Sequence, residues 1–272
     1  MSIEVTHTPK FAGQLGVRRL YHYEKFNADY LSRTLRHQKI HCSNPTNLND
    51  PWDCKPWFSS RSLQDPVVFQ KVTAWFRRQA KQPLRPDLKL RWEDRLRNDP
   101  KEQTRFMDDL SKGIQRKVSE RRIYCLTSDP LSTLMWSHYA DNHRGICLKF
   151  AVNNPLFSRA QQVLYAADYP PWLPHEFEAQ QERTIEVILT KADDWRYEKE
   201  FRLISVPNAP PSTAQRVQDD FFSLPSGALK SIIVGCQGDY DAVKEIAKTH
   251  VPDLPVERAV RQPNQYRLEI DT

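Results

Sequence analysis

Residues 123–150 constrain this chain more than any other stretch. Ile123, Tyr124, Cys125 and Leu126 are short, apolar and rich in β-formers, and Ile146 to Phe150 have the same character. Between them Leu134, Met135, His138 and Tyr139 recur at helical spacing, and Ser132 stands where an N-cap is needed. The result is a strand–helix–strand unit, closed by Gly145, whose helix lays an aromatic and polar face against the sheet that holds its first strand. Trp136 reads as the buried residue of a core helix. The concentration of His138, Tyr139, Asp141 and His143 marks the same unit as a candidate for function.

At 272 residues and 39% apolar content the chain can bury a substantial core. We expect one α+β domain over residues 1–272. Residues 1–10 lack the apolar centre of a signal peptide, and Ile232, Ile233 and Val234 form an apolar run far too short for a bilayer. A cytoplasmic location is expected. The five cysteines, at 42, 54, 125, 147 and 236, include no Cys-x-x-Cys pair, which argues for reduced thiols and against a disulfide framework or zinc ribbon. With 7 glycines there is neither a dinucleotide-binding Gly-x-Gly-x-x-Gly nor a phosphate-cradling glycine loop, so any nucleotide is held another way.

Taken in order, Leu20 to Tyr23 read as a strand, Asn27 or Asp29 caps a helix carrying Leu31 and Leu35, and Lys39 to Cys42 form a second strand. Asn44, Pro45, Asn47, Asn49, Asp50 and Pro51 then make a rigid polar loop. From Arg61 to Arg122 the character changes to long charged helices with 17 Lys/Arg against 9 Asp/Glu, a net +8, leaving −2 for the rest of the chain. We expect a peripheral basic helical insertion over 61–122. Such a surface can attract phosphate backbones through counterion release, although interleaved charges are also the ordinary dress of solvated helices. Residues 155–183 are rich in Pro and aromatics, and residues 184–189 fit strand or helix. Glu198, Glu200, Arg202 and Ile204 alternate with Phe201 and Leu203, the period of a strand. A strand over 230–235, a helix over 240–250 and a strand near 266–270 complete the chain.

Four motifs, Leu20 to Tyr23, Pro45 to Pro51, Met135 to Asp141 with Gly145, and Trp195 to Arg202, resemble the bacterial family called "domain of unknown function 2971" from about residue 20 to residue 270. That family name states no activity. A second resemblance does suggest one: the order of elements is similar to that of ADP-ribosyltransferases of the diphtheria-toxin and poly-ADP-ribose type. This similarity implies a central, mostly antiparallel split sheet, NAD as substrate, and an unknown protein or nucleic-acid acceptor, in an enzyme of the toxin or phage-defence kind. It implies a cofactor site of Tyr21, His22, Ser132 and Tyr139, with Glu200 and its neighbour Glu198 as catalytic carboxylates and no metal. The pattern departs from those enzymes where Tyr23 follows His22 and where no glycine precedes Tyr124.

The chemistry suits such residues. Cleaving a nicotinamide–ribose bond passes through an oxocarbenium-like state that needs a nearby negative charge and an oriented ribose. Glu200 would supply the charge, Tyr139 would stack on the nicotinamide and His22 would hydrogen-bond a ribose hydroxyl. That reading requires His22, Tyr139 and Glu200 to share one pocket. The same carboxylates could instead pair with Arg202 or Lys199, His22 could be a core histidine, Asp50 a turn former, and Lys191 and Trp195 supports of the Glu200 strand. Two other readings stand beside the transferase: a non-enzymatic nucleic-acid- or protein-binding module using the basic helices, and a phosphate-ester hydrolase using His138, Asp141 and His143.

Overall fold

The computed structural model describes residues 10–79, 85–177 and 181–271. By its internal contacts the chain divides into two compact units, one made of Met1–Asn44, Arg121–Leu164 and Asp194–Thr272, the other of Pro45–Glu120 and Tyr165–Asp193.

The first unit is built on an eight-stranded sheet. Its strands are β1 (Arg19–Glu24), β3 (Ile123–Thr127), β4 (Ile146–Ala151), β5 (Gln161–Gln162), β8 (Glu200–Ile204), β10 (Leu229–Val234), β11 (Val256–Arg261) and β12 (Leu268–Asp271), in the order β12-β11-β10-β4-β1-β3-β8-β5. Two further strands, β2 (Lys39–His41) and β9 (Phe221–Ser223), pair separately. Every neighbouring pair in the large sheet is antiparallel except β10 with β11. A parallel pair needs a long crossover, and here it is helix α7 (Tyr240–His250), started by Asp239 accepting the Ala242 N–H. The expected mostly antiparallel sheet is present. The sequence reading passed over β11.

Strand alternation divides the sheet into two faces. On the back, Leu20, Tyr124, Leu126, Leu148, Phe150, Phe201, Leu203 and Ile232 pack with Leu31 and Leu35 of helix α1 (Ala28–His37) and with Val243 and Ala247 of α7. The Asn27 side chain accepts the Tyr30 N–H to start α1, as its position before the apolar spacing predicts. On the front, Tyr23, Cys147, Ile233 and Ala259 pack against Met135, Trp136 and Ala140 of helix α5 (Thr133–Tyr139) and its end. A central strand such as β4 is therefore buried on both faces and is apolar almost throughout, the composition such a position demands.

The second unit contains helices α2 (Pro66–Gln79), α3 (Pro86–Asn98), α4 (Pro100–Ser119) and α6 (Gln181–Leu189). Pro86 and Pro100 open α3 and α4, where a missing N–H costs nothing, and the Asp99 carboxylate accepts the Lys101 N–H. Rings of Phe76, Trp92 and Phe106 join α2, α3 and α4 at centroid distances of 5.1 to 5.6 Å. Strands β6 (Leu164–Ala166) and β7 (Thr190–Ala192) form a small sheet of their own. Residues 184–189, left open between strand and helix by the sequence, lie in α6.

Candidate functional site

The front face of the first unit is organised by α5. Ser132 caps it, its Oγ accepting the Met135 N–H at 3.3 Å. Trp136 is fully buried, donates its indole N–H to the Pro130 carbonyl at 3.0 Å and meets Tyr23 edge-on at 5.0 Å. The Tyr23 hydroxyl donates in turn to the Asp129 carbonyl. Beyond the helix Asp141, Asn142 and His143 all hold left-handed backbone angles, so the chain turns sharply and returns at Gly145. A Cβ there would lie 2.3 Å from the Glu24 carbonyl oxygen, so only glycine fits. These restraints aim Tyr139, whose hydroxyl donates to Glu198 Oε1 at 2.6 Å.

Glu198 is not on the strand that alternation assigned to it. It closes a 3-10 helix, Asp193–Glu198; Lys199 follows at φ 46°, and β8 begins only at Glu200. The left-handed residue breaks the period of two, so the expectation of one strand face carrying both carboxylates is corrected. The Glu198 backbone is pinned by the Thr127 hydroxyl, which donates to its carbonyl at 2.6 Å, while Lys199 reaches Asp129 at 2.8 Å. Glu200 accepts two hydrogen bonds from Arg202, Nε to Oε1 at 2.7 Å and Nη2 to Oε2 at 2.9 Å, and the Arg202 side chain is 0% exposed. The pairing with Arg202 that the sequence left open is the one formed.

Both segments fall in a recognisable family signature. Residues 135–203 match the family described as "Protein of unknown function (DUF2971)". The match contains the Met135 to Asp141 and Trp195 to Arg202 motifs, so that resemblance is shown over this stretch. The other two motifs, Leu20 to Tyr23 and Pro45 to Pro51, lie outside it. No curated protein and no solved structure matches the chain significantly.

The remaining site residue of the transferase pattern lies elsewhere. Tyr21 pairs with Thr127, and Thr127 with Glu200, so these three side chains share the front face with Tyr139. His22 is one residue on and therefore points to the back. Its ring stacks on Tyr124 at 4.2 Å, and its Nδ1 donates to the Cys125 carbonyl at 2.7 Å. The expected convergence of His22 with Tyr139 and Glu200 does not occur. Burial lowers the His22 pKa to about 4 and raises that of Glu24, two residues along the same face, to about 7. His22 Nε2 and Glu24 Oε2 stand 3.8 Å apart. Burial also raises Tyr30 to about 12, with the Glu24 charge adding to it.

Thr127 and Tyr197, which the sequence reading did not weigh, and Trp195, which it read as a support of the Glu200 strand, complete the front face. Thr127 fixes the Glu198 backbone. Tyr197 places its hydroxyl 3.2 Å from His138 Nδ1, and Trp195 meets that histidine ring at 6.5 Å. The aromatic density of residues 195–197 was visible; their approach to His138, 59 positions away from Tyr197, was not. Burial raises the Tyr21 pKa, keeping its hydroxyl protonated at neutral pH. Among the described residues no three His, Cys, Asp or Glu side chains gather as metal ligands, including His138, Asp141 and His143.

Proposed function

We propose that the front face carries out glycosyl transfer from a nucleotide of the NAD type, with Glu198 rather than Glu200 as the working carboxylate. The observation that carries this reading is the 2.6 Å hydrogen bond from Tyr139 to Glu198, a buried carboxylate oriented by a side chain on another element. Such a group, held in place and shielded from water, is what an oxocarbenium-like transition state requires. Glu200 is committed on both oxygens to Arg202, which suits it to a fixed supporting pair. Tyr21, half-buried on the same face, supplies an aromatic ring for the leaving base, the role first given to Tyr139, whose hydroxyl is engaged with Glu198. Ser132 serves the reading as the cap that holds the Tyr139 helix.

Nicotinamide release from NAD, followed on wild type, Glu198→Gln and Tyr139→Phe, tests this. Glu198→Gln should reduce release on the order of a hundredfold, the scale of losing one preorganised electrostatic contact. Tyr139→Phe should reduce it less, because the carboxylate keeps its charge and loses an orienting donor. Equal rates would clear Glu198 of any part. Absence of release by wild type would favour the second reading, a nucleic-acid-binding module, which is supported by a groove in the second unit lined by Phe76, Leu88, Trp92, Arg91, Arg95 and Asp94, two aromatic rings with a net positive charge.

A further inference from the structure

A hollow of about 110 Å³ lies within the second unit beside β7. Three of its walls are aromatic rings, Trp52, Tyr169 and Trp172. They are set before any ligand arrives. Tyr169 meets Trp172 at 5.7 Å and 86°, and Trp57, outside the hollow, backs Tyr169 edge-on at 6.1 Å. Asp50 Oδ1 accepts the Trp52 N–H at 2.8 Å, and the Lys55 N–H donates to the Trp52 carbonyl at 3.2 Å, so Trp52 and Lys55 ride on one fixed turn. Trp172 is buried whereas Trp52 is 67% exposed, so the hollow is walled on its inner side and meets water at Trp52.

Four charged residues share the lining, and they are of two kinds. Asp53 and Lys191 are engaged in the fold: both side chains are buried, Oδ2 lies 3.6 Å from Nζ, and Asp53 Oδ1 accepts the Cys54 thiol at 3.3 Å. Asp168 and Lys55 reach solvent, and their side chains have no hydrogen bond or ion pair among the described residues. The lining is therefore neutral in sum but holds one uncommitted acid and one uncommitted base. A simple anion or cation would meet a like charge beside its partner; a zwitterion satisfies both. The rings decide which end of it lies inside. Aromatic faces attract an ammonium through their quadrupole, the recognition used for choline and methylated lysine. The field at Tyr169 has the matching sign. Burial raises its pKa, with Cys54, Asp53 and Asp50 adding to it in that order, and Asp50 Oδ2 is buried with no hydrogen-bond partner among the described residues. Surroundings that disfavour a phenolate favour a cation at the same ring. The volume is well below the roughly 300 Å³ at which sites for drug-sized ligands begin, which suits a trimethylammonium head with a short arm.

We propose that this hollow binds a small zwitterion with a methylated ammonium, its cationic head held among Trp52, Tyr169 and Trp172 with Asp168 as counter-charge, and its anionic end on Lys55. Glycine betaine is the simplest molecule of this chemistry, and a phosphocholine head group carries the same two charges on a longer arm. The site is independent of Glu198 and does not rest on the transferase reading.

Titrating the full chain by calorimetry with glycine betaine, choline, tert-butylacetate and glycerophosphocholine tests the proposal. Saturable betaine binding is expected. Tert-butylacetate keeps the shape and carboxylate of betaine without the positive charge, and should bind on the order of tenfold more weakly, the scale of a cation–π contact. Choline lacks the carboxylate and should also bind more weakly than betaine. Lys55→Met should bring betaine down to the affinity of choline without weakening choline, while Asp168→Asn should weaken both. Trp52→Ala should weaken betaine on the order of tenfold and Trp52→Phe less, and the exposure of that ring lets both variants fold. Glycerophosphocholine binding tighter than betaine identifies the head group as the source; the reverse order identifies a free betaine. No saturable binding of either zwitterion by wild type, tert-butylacetate binding as tightly as betaine, or unchanged binding by a folded Trp52→Ala overturns the proposal. None of these ligands contains nicotinamide, so failure of nicotinamide release leaves the outcome untouched.

Discussion

Two strands of the first unit each bury an acid and a base two residues apart on one face, and they resolve the conflict in opposite ways. On β8, Glu200 and Arg202 form two short hydrogen bonds with the guanidinium fully buried. On β1, His22 and Glu24 stand 3.8 Å apart, burial favouring the neutral form of each. The difference lies in the base. A guanidinium does not give up its proton, so its carboxylate partner must stay charged and the pair must meet closely to offset desolvation. An imidazole does give up its proton, and low dielectric then favours the neutral acid beside the neutral base. One spacing thus yields a fixed charge pair on the front and a pair of neutral groups on the back.

The largest effect should come from breaking the front pair. Arg202→Met or Glu200→Gln leaves one buried charge without its partner and should cost about 3–5 kcal/mol in urea denaturation. Because Glu200 is engaged with Arg202 on both oxygens, the Gln variant tests stability rather than catalysis alone. A loss under about 1 kcal/mol would show that the pair is dispensable.

The back pair should respond to pH instead. Between about pH 4.5 and 6.5 the folded pair holds its proton on Glu24, while the unfolded chain would hold one on His22, so folding changes neither count and the wild type should show no slope from this source. Glu24→Gln leaves His22 alone, lowered to about 4 in the folded state. The unfolded state then binds more protons, and stability relative to wild type should rise with pH from about 4 to 6.5, by up to about 1.4 kcal/mol per unit. His22→Gln leaves Glu24, raised to about 7, and stability should fall as pH rises from about 4.5 to 7. Parallel pH profiles for both variants would refute the neutral pair.

Smaller effects complete the contrast. Ser132→Ala removes the cap of α5 and should cost about 1 kcal/mol, read as a lowered Tm. Tyr124→Phe on the back removes a hydroxyl that is buried without a partner among the described residues, so stability should hold or rise by up to about 1 kcal/mol. A clear loss there would mean that the hydroxyl is satisfied by water.

What could be read from the chain follows the range of the interaction responsible. Asn27, Ser132 and Asp239 start helices through contacts three residues away, and the helices over 28–37, 133–139 and 240–250 stand where such caps and apolar spacing put them. The alternation of Tyr21, His22 and Tyr23 was equally visible, but which face would meet Glu200 depends on β3 bridging β1 and β8, a register set by pairings over a hundred residues apart for Tyr21 with Thr127. Glu198 was misplaced for a local reason without a local signal, a lysine in a left-handed conformation. Strand β11 escaped because Val256 and Val260 share one face with Arg258 while Ala259 shares the other with Glu257 and Arg261, so neither face reads as apolar.

Strand order also sets a timetable for synthesis. β1 ends at Glu24 and lies between β4 and β3, and the nearer of those in sequence begins only at Ile123. At roughly 5–20 residues per second, β1 has left the ribosome for about 5–20 s before either hydrogen-bonding neighbour exists. Throughout that interval a strand made for the middle of a sheet has two open edges and leaves Leu20, Tyr21 and Tyr23 uncovered, a state prone to pair with the wrong chain. Chaperone demand in the cell should therefore track the rate at which residues 25–122 are translated, and slowing translation within that stretch should lower the soluble yield more than slowing it after Ala151.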